Sequence, residues 1–79
     1  MADLVRLSAL PVGSQAIIRK FVGTNSARIR LREMGMLAGT ELTFVRKAPL
    51  GDPIEIKVRG YRLTLRKTEA EFIMVEPSE

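Results

Sequence analysis

Two stretches of the chain, Ile54-Glu55-Ile56-Lys57-Val58-Arg59 and Tyr61-Arg62-Leu63-Thr64-Leu65-Arg66, alternate apolar and polar side chains without a break. A period of two is what a strand with one buried face requires, and a helix cannot satisfy it. Gly60-Tyr61 between them fits a two-residue hairpin loop with glycine at its first central position, a type II′ turn. That turn sets Arg59 opposite Arg62, Val58 opposite Leu63 and Ile56 opposite Leu65. The polar face then carries Lys57 opposite Thr64 and Glu55 opposite Arg66. A slip of one residue would bury these charges, so turn and pattern support each other.

The rest of the chain reads as short elements around this hairpin. Leu7-Ser8-Ala9-Leu10 is a turn that buries two leucines, and Gln15 to Val22 is a first strand rich in β-prone residues. Gly23-Thr24-Asn25-Ser26 supplies helix N-cap candidates. From Ala27 the spacing becomes helical, with Ala27, Leu31 and Met34 on one apolar stripe and Gly35 placed to stop the helix. Arg28 and Arg32 share a neighbouring face, and Ile29 points away from the stripe. Glu41 to Lys47 is a second strand, followed by Ala48-Pro49-Leu50-Gly51-Asp52-Pro53, a loop stiffened by two prolines. Thr68 to Glu71 makes one helical turn and Phe72 to Glu76 a closing strand. Met1–Asp3 and Pro77-Ser78-Glu79 are expected to be loose ends. About five strands with one inserted helix predict a mainly β fold, a small and partly open antiparallel barrel.

A chain of 79 residues is one domain with a thin core. It has no cysteine and no histidine, which removes disulfides, thiol chemistry and the usual ligands of zinc, copper and non-haem iron. It also removes the commonest general base near neutral pH. The carboxylates form no dense cluster, so one copy is expected to hold no metal and no cofactor, although two copies could share an ion through surface carboxylates. No paired nucleophile and base and no phosphate-cradling glycine loop is present, so no catalytic residue is expected. The N-terminal run has no apolar stretch of signal-peptide length, and nothing approaches the ~20 apolar residues of a membrane span, which predicts a cytoplasmic protein that is not membrane-inserted. A net charge of +4 suggests an anionic partner: RNA, a membrane surface or an acidic protein face. RNA is the weaker choice, because one Tyr, three Phe and no Trp leave few platforms for base stacking.

The run from Arg28 to Thr40 (Arg28-Ile29-Arg30-Leu31-Arg32-Glu33-Met34-Gly35-Met36-Leu37-Ala38-Gly39-Thr40) resembles the helix and turn of FeoA proteins. Ala48-Pro49-Leu50-Gly51-Asp52-Pro53-Ile54-Glu55-Ile56 resembles their signature loop and following strand. Gly60 to Lys67 and Ala70 to Glu76 complete a similarity that runs from about Leu7 to Glu76. Arg32 and Ile29 differ from the family's more usual apolar and polar choices at those positions. The resemblance implies an SH3-like domain and a cytoplasmic accessory role beside FeoB, a ferrous iron transporter with a cytosolic GTP-binding domain. The same domain ends some metal-dependent repressors, but no DNA-reading helices precede it here, so no DNA partner is expected.

The role the resemblance implies is docking on that transporter, and none of the arginines is expected to serve as a catalytic finger. The expected contact surface joins the rigid Pro49, Leu50, Gly51, Asp52 and Pro53 loop, the hairpin tip with Arg59, Tyr61 and Arg62, and the exposed helix face with Arg28, Ile29 and Arg32. Asp52 is expected to bond its own loop's backbone. The charges of Arg59 and Arg62, expected to face each other, would be relieved by an acidic partner. Self-association is left open.

Overall fold

The computed structural model describes residues 3–78. Strand β1 spans Val5–Arg6 and leads into a 3-10 turn at Leu7–Ala9. β2 (Gln15–Phe21), helix α1 (Asn25–Glu33), β3 (Glu41–Lys47), β4 (Ile54–Val58), β5 (Tyr61–Leu65), the single-turn helix α2 (Lys67–Ala70) and β6 (Ile73–Ser78) follow. All pairings are antiparallel, in the order β1-β6-β2-β3-β4-β5. Among the described residues β1 and β5 are the two edges, so the sheet curls around its core without closing.

The sixth strand is the very short β1, whose Val5 and Arg6 pair with Val75 and Met74. Two residues carry no readable period, which is why the sequence suggests only five strands. The expected loose tail is likewise ordered up to Ser78, with Pro77 opposite Ala16 and Ser78 opposite Gln15. Proline is tolerated there because β1 covers only Val75 and Met74, leaving the end of β6 with an open side. Met1, Ala2 and Glu79 lie outside the described residues.

Two β-bulges bend the sheet. The β2–β6 register shifts between Ile18 and Lys20, and the β3–β4 register shifts between Phe44 and Arg46. Each adds one residue to a strand and so exchanges the faces beyond it. Without the bulge at Val45, Arg46 would share the inward parity of Leu42 and Phe44. With it, Arg46 stands opposite Glu55 on the outer face. The bulge at Arg19 likewise turns Lys20 outward and lets Phe21 pack toward Ile73.

Inside the curl, Phe44, Ile18, Leu42, Ile54, Ile56, Val58, Leu65, Ile73 and Val75 are buried together with Leu7 and Leu10 from the N-terminal turn. α1 closes one side of this core through Leu31, with Ala27 and Met34 half-buried beside it, as the helical spacing predicts. Its start is capped by Thr24, whose Oγ1 accepts from the Ala27 amide at 3.2 Å. Its end is a Schellman turn: the Met36 amide donates to the Leu31 carbonyl at 3.1 Å and the Gly35 amide to the Arg32 carbonyl at 3.0 Å. Gly35 has φ +92°, a conformation any other residue adopts at a cost.

The hairpin is present, but its turn is displaced from the expected position. The loop is Arg59-Gly60, with φ +50° and +85°, so both central residues are left-handed and the turn has the type I′ form. Val58 therefore pairs with Tyr61, Lys57 with Arg62, Ile56 with Leu63 and Ile54 with Leu65. Relative to the expected register each partner moves by two residues, which leaves every side chain on its own face. Apolar alternation cannot distinguish the two registers. Both primed turns suit the twist of paired strands, and the observed register is the one that sets the Tyr61 hydroxyl on the Met34 carbonyl of α1 and Arg62 beside Glu55.

Candidate interaction surface

The loop between β3 and β4 is built to hold one apolar side chain in solvent. Ala48 accepts from the Gly51 amide at 2.7 Å, closing a four-residue turn with Pro49 second and Gly51 last. The Ala48 amide donates to the Pro53 carbonyl at 2.9 Å, so the loop's base is stapled as well. The Asp52–Pro53 peptide is cis. Contrary to the expectation from sequence, Asp52 does not bond its own loop. Its Oδ1 accepts from the Lys67 amide at 3.0 Å, satisfying a donor at the first turn of α2 and fastening the loop to a distant element. At the apex Leu50 is 96% exposed. Its backbone is held, yet its side chain touches almost nothing.

The other end of β4 is polar. Arg59 and Arg62 do not face each other, contrary to expectation, because the observed register places Arg62 opposite Lys57. Arg62 is tied down: its Nη1 lies 3.0 Å from Glu55 Oε2, while Glu55 Oε1 receives Arg46 Nε at 2.8 Å. One carboxylate thus holds two guanidinium groups across β3, β4 and β5. The hydrogen bond from Arg46, aided by that from Arg62, keeps the Glu55 carboxyl below its ordinary value. Tyr61 turns toward α1, and its hydroxyl donates to the Met34 carbonyl at 3.4 Å. A Cβ on Gly35 would collide with that hydroxyl, so the glycine serves both the helix stop and this contact.

On α1, Arg28, Ile29 and Arg32 all face solvent on one side, with Ile29 half exposed. Arg30, on another side, pairs with Glu69 of α2 at 3.2 Å. The expected contact residues therefore form two groups. Tyr61 and the end of α1 come together. The Leu50 apex lies at the opposite end of β4, about 20 Å along the strand from Arg59 at ~3.3 Å per residue. Sequence reasoning did not single out Glu55, the centre of the arginine clamp. Its signal is faint, since only the bulge at Val45 brings Arg46 to it.

Among the described residues no three acidic groups converge on a metal site, and no helix is long and apolar enough to cross a membrane. Residues 5–77 match the family model described as the FeoA domain. Over 72 residues, 91% of this chain, the sequence is 40% identical to the Fe(2+) transport protein A/Fe(2+) transporter FeoB fusion protein of Porphyromonas gingivalis. The chain spans only 8% of that relative's length. The solution structure of a FeoA-like protein from Clostridium acetobutylicum superposes with a TM-score of 0.93 at 37% identity, covering 100% of this chain and 92% of that one. The zinc complex of Stenotrophomonas maltophilia FeoA, described as a procaryotic SH3 domain protein, has a TM-score of 0.76 at 34% identity, covering 89% of this chain and 87% of the other. With the curled antiparallel sheet, the inserted helix and a match across nearly its whole length, this chain belongs to the FeoA family.

Proposed function

We propose that this chain is a cytoplasmic, non-catalytic accessory protein of ferrous iron uptake that docks by protein–protein contact on the cytoplasmic GTP-binding region of a FeoB-type transporter. The observation that carries the reading is the relative in which the two modules share one polypeptide. A covalent link holds two modules at a high effective concentration, which is useful where separate chains must otherwise find each other. The surface supplies a suitable contact. A fully presented leucine on a stapled loop loses little conformational freedom on docking, and its burial is worth roughly 1.5–3 kcal/mol. The α1 face with Arg28, Ile29 and Arg32 offers a second, basic patch with an apolar centre. RNA gains no support, because Tyr61 is the one strongly exposed aromatic side chain among the described residues and its hydroxyl is engaged on α1.

The test is binding of the purified chain to full-length cognate FeoB in nanodiscs, with and without a GTP analogue, at two salt concentrations. Saturable binding is expected in at least one nucleotide state. Leu50→Ala should weaken it roughly tenfold or more while changing folding stability by less than about 0.5 kcal/mol. An Arg28→Glu, Arg32→Glu double variant should weaken it further at low salt. Absence of binding in every nucleotide state, with the chain shown to be folded, would overturn the proposal.

A further inference from the structure

A further concavity lies at neither the Leu50 apex nor α1. It is a groove of about 650 Å³ on the outer face of the sheet, where β2, β3 and the β4–β5 turn meet. That volume falls in the range of sites that take a ligand. Its walls carry Ile17, Arg19, Thr40, Glu41, Lys57 and Arg59.

Three observations converge there. The Thr40 hydroxyl is the buried side-chain oxygen that lacks a hydrogen-bond partner among the described residues, on a residue only 5% exposed. The Thr40 backbone is satisfied, donating to Leu37 and accepting from Ile18, so the deficit belongs to the side chain alone. An unpaired buried hydroxyl is costly and calls for an explanation.

Arg59, the second observation, is the one non-glycine described residue with positive φ, at a turn position where Asn, Asp or Gly is preferred. No side-chain hydrogen bond or ion pair among the described residues compensates it. The type I′ turn accounts for that backbone, and it leaves the Arg59 guanidinium on the groove wall with no partner of its own among the described residues.

The third observation is Lys57, which stands directly opposite Arg62 in the ladder, a like-charge pairing that is unfavourable by itself. Arg62 is neutralised by Glu55, and Arg19 by Glu76 at 2.7 Å. Lys57 and Arg59 have no such partner among the described residues, and Glu41 is the one acidic residue on the groove wall.

From these we infer that the groove binds an extended acidic peptide segment of a partner protein, its carboxylates meeting Lys57 and Arg59 and an apolar side chain covering Ile17. The groove runs over a sheet face whose outward side chains recur every second residue, the spacing an extended chain presents. Its excess positive charge selects carboxylates, and half-buried Ile17 gives an apolar side chain a seat that a bare anion would not use. The inference rests on the partner's being a protein, as proposed above. Its test contains no transporter, so failure here and failure of FeoB binding are read separately.

The probe is a fluorescein-labelled decapeptide of alternating Glu and Val, with a Lys/Val counterpart, inorganic phosphate and a decauridylate as comparators. Binding is followed by anisotropy and mapped by amide chemical shifts on the full chain. Saturable binding of the Glu/Val peptide alone is expected, with shifts centred on Thr40, Glu41, Lys57 and Arg59 and not on Leu50. A Lys57→Glu, Arg59→Glu double variant should lose at least tenfold in affinity. Thr40→Val should melt at the same temperature or higher, yet bind roughly threefold more weakly, a combination that a purely structural hydroxyl would not produce. Shifts centred elsewhere, or unchanged affinity in the double variant, would overturn the inference. Complete displacement by equimolar phosphate would reduce the groove to a simple anion site, and tighter binding of decauridylate at the same amides would assign it to RNA. Either result overturns the peptide.

Discussion

β4 ends in two tight connections that solve the same problem with different chemistry. At its start, the Ala48–Pro53 loop uses two prolines, a turn hydrogen bond and the Asp52–Lys67 contact to hold Leu50 in solvent. At its end, the Arg59-Gly60 turn has no bracing of its own. It relies on twist compatibility with the strands and on the neighbouring Tyr61–Met34 contact to α1. The first end is rigid through its own backbone, while the second is positioned by tertiary contacts. A rigid end can present an apolar contact at small entropic cost, whereas the dependent end concentrates charge next to a groove.

Removing the tertiary support at the second end should have the largest effect. Gly35→Ala places a Cβ at φ +92° and against the Tyr61 hydroxyl, and is expected to cost about 2–3 kcal/mol, or a fall in Tm of roughly 10 °C or more. Adding Tyr61→Phe should recover part of this loss but not all of it, since the backbone strain remains. Calorimetry on the two single variants and the double variant reads this directly. Full recovery would mean the clash alone matters, and no recovery would mean the Tyr61 contact is incidental.

At the first end, Asp52→Ala removes an acceptor from the start of α2 and should cost about 1 kcal/mol, measurable in urea unfolding. No change would show that the loop is braced by its prolines and turn bond alone. Arg59→Asn should act in the opposite direction, stabilising by about 0.5 kcal/mol because asparagine suits a left-handed turn position. The same variant should weaken peptide binding in the groove, which separates a stability role for Arg59 from a binding one.

Between the two ends, Glu55 supplies the smallest effect. Its carboxyl titrates below the ordinary value of 4.5 in the folded protein, so its stabilisation is fully present above that pH. It is lost as pH falls through the depressed folded value. Glu55→Gln should therefore flatten the acid limb of the stability curve below about pH 4.5 while altering stability near pH 7 only modestly, as thermal melts across pH would show.

The strict alternation in β4 and β5 made the hairpin legible, and Thr24, Leu31 and Gly35 made the helix and its limits legible. The residues of the Leu50 loop could also be read, because proline and glycine impose local conformation wherever they stand. Contacts between distant elements could not. Nothing local to Asp52 indicates Lys67, and nothing local to Arg46 indicates that a bulge will carry it to Glu55. β1 escaped because two residues are too few to show a period.

The sequence by itself thus determined which residues of β4, β5 and α1 face the core, since burial there follows an unbroken periodicity, whereas in β2 and β3 the bulges reset it. It also determined family membership, through turn residues at characteristic spacing. Only the tertiary structure decided the hairpin register, because the two candidate registers differ by two residues and bury the same side chains. The contacts of Tyr61 with Met34 and of Arg62 with Glu55 accompany the observed one. The tertiary structure also decided which charges remain unpaired. Ion pairing depends on separations of a few ångströms across the bulged sheet, and no spacing along the chain encodes them.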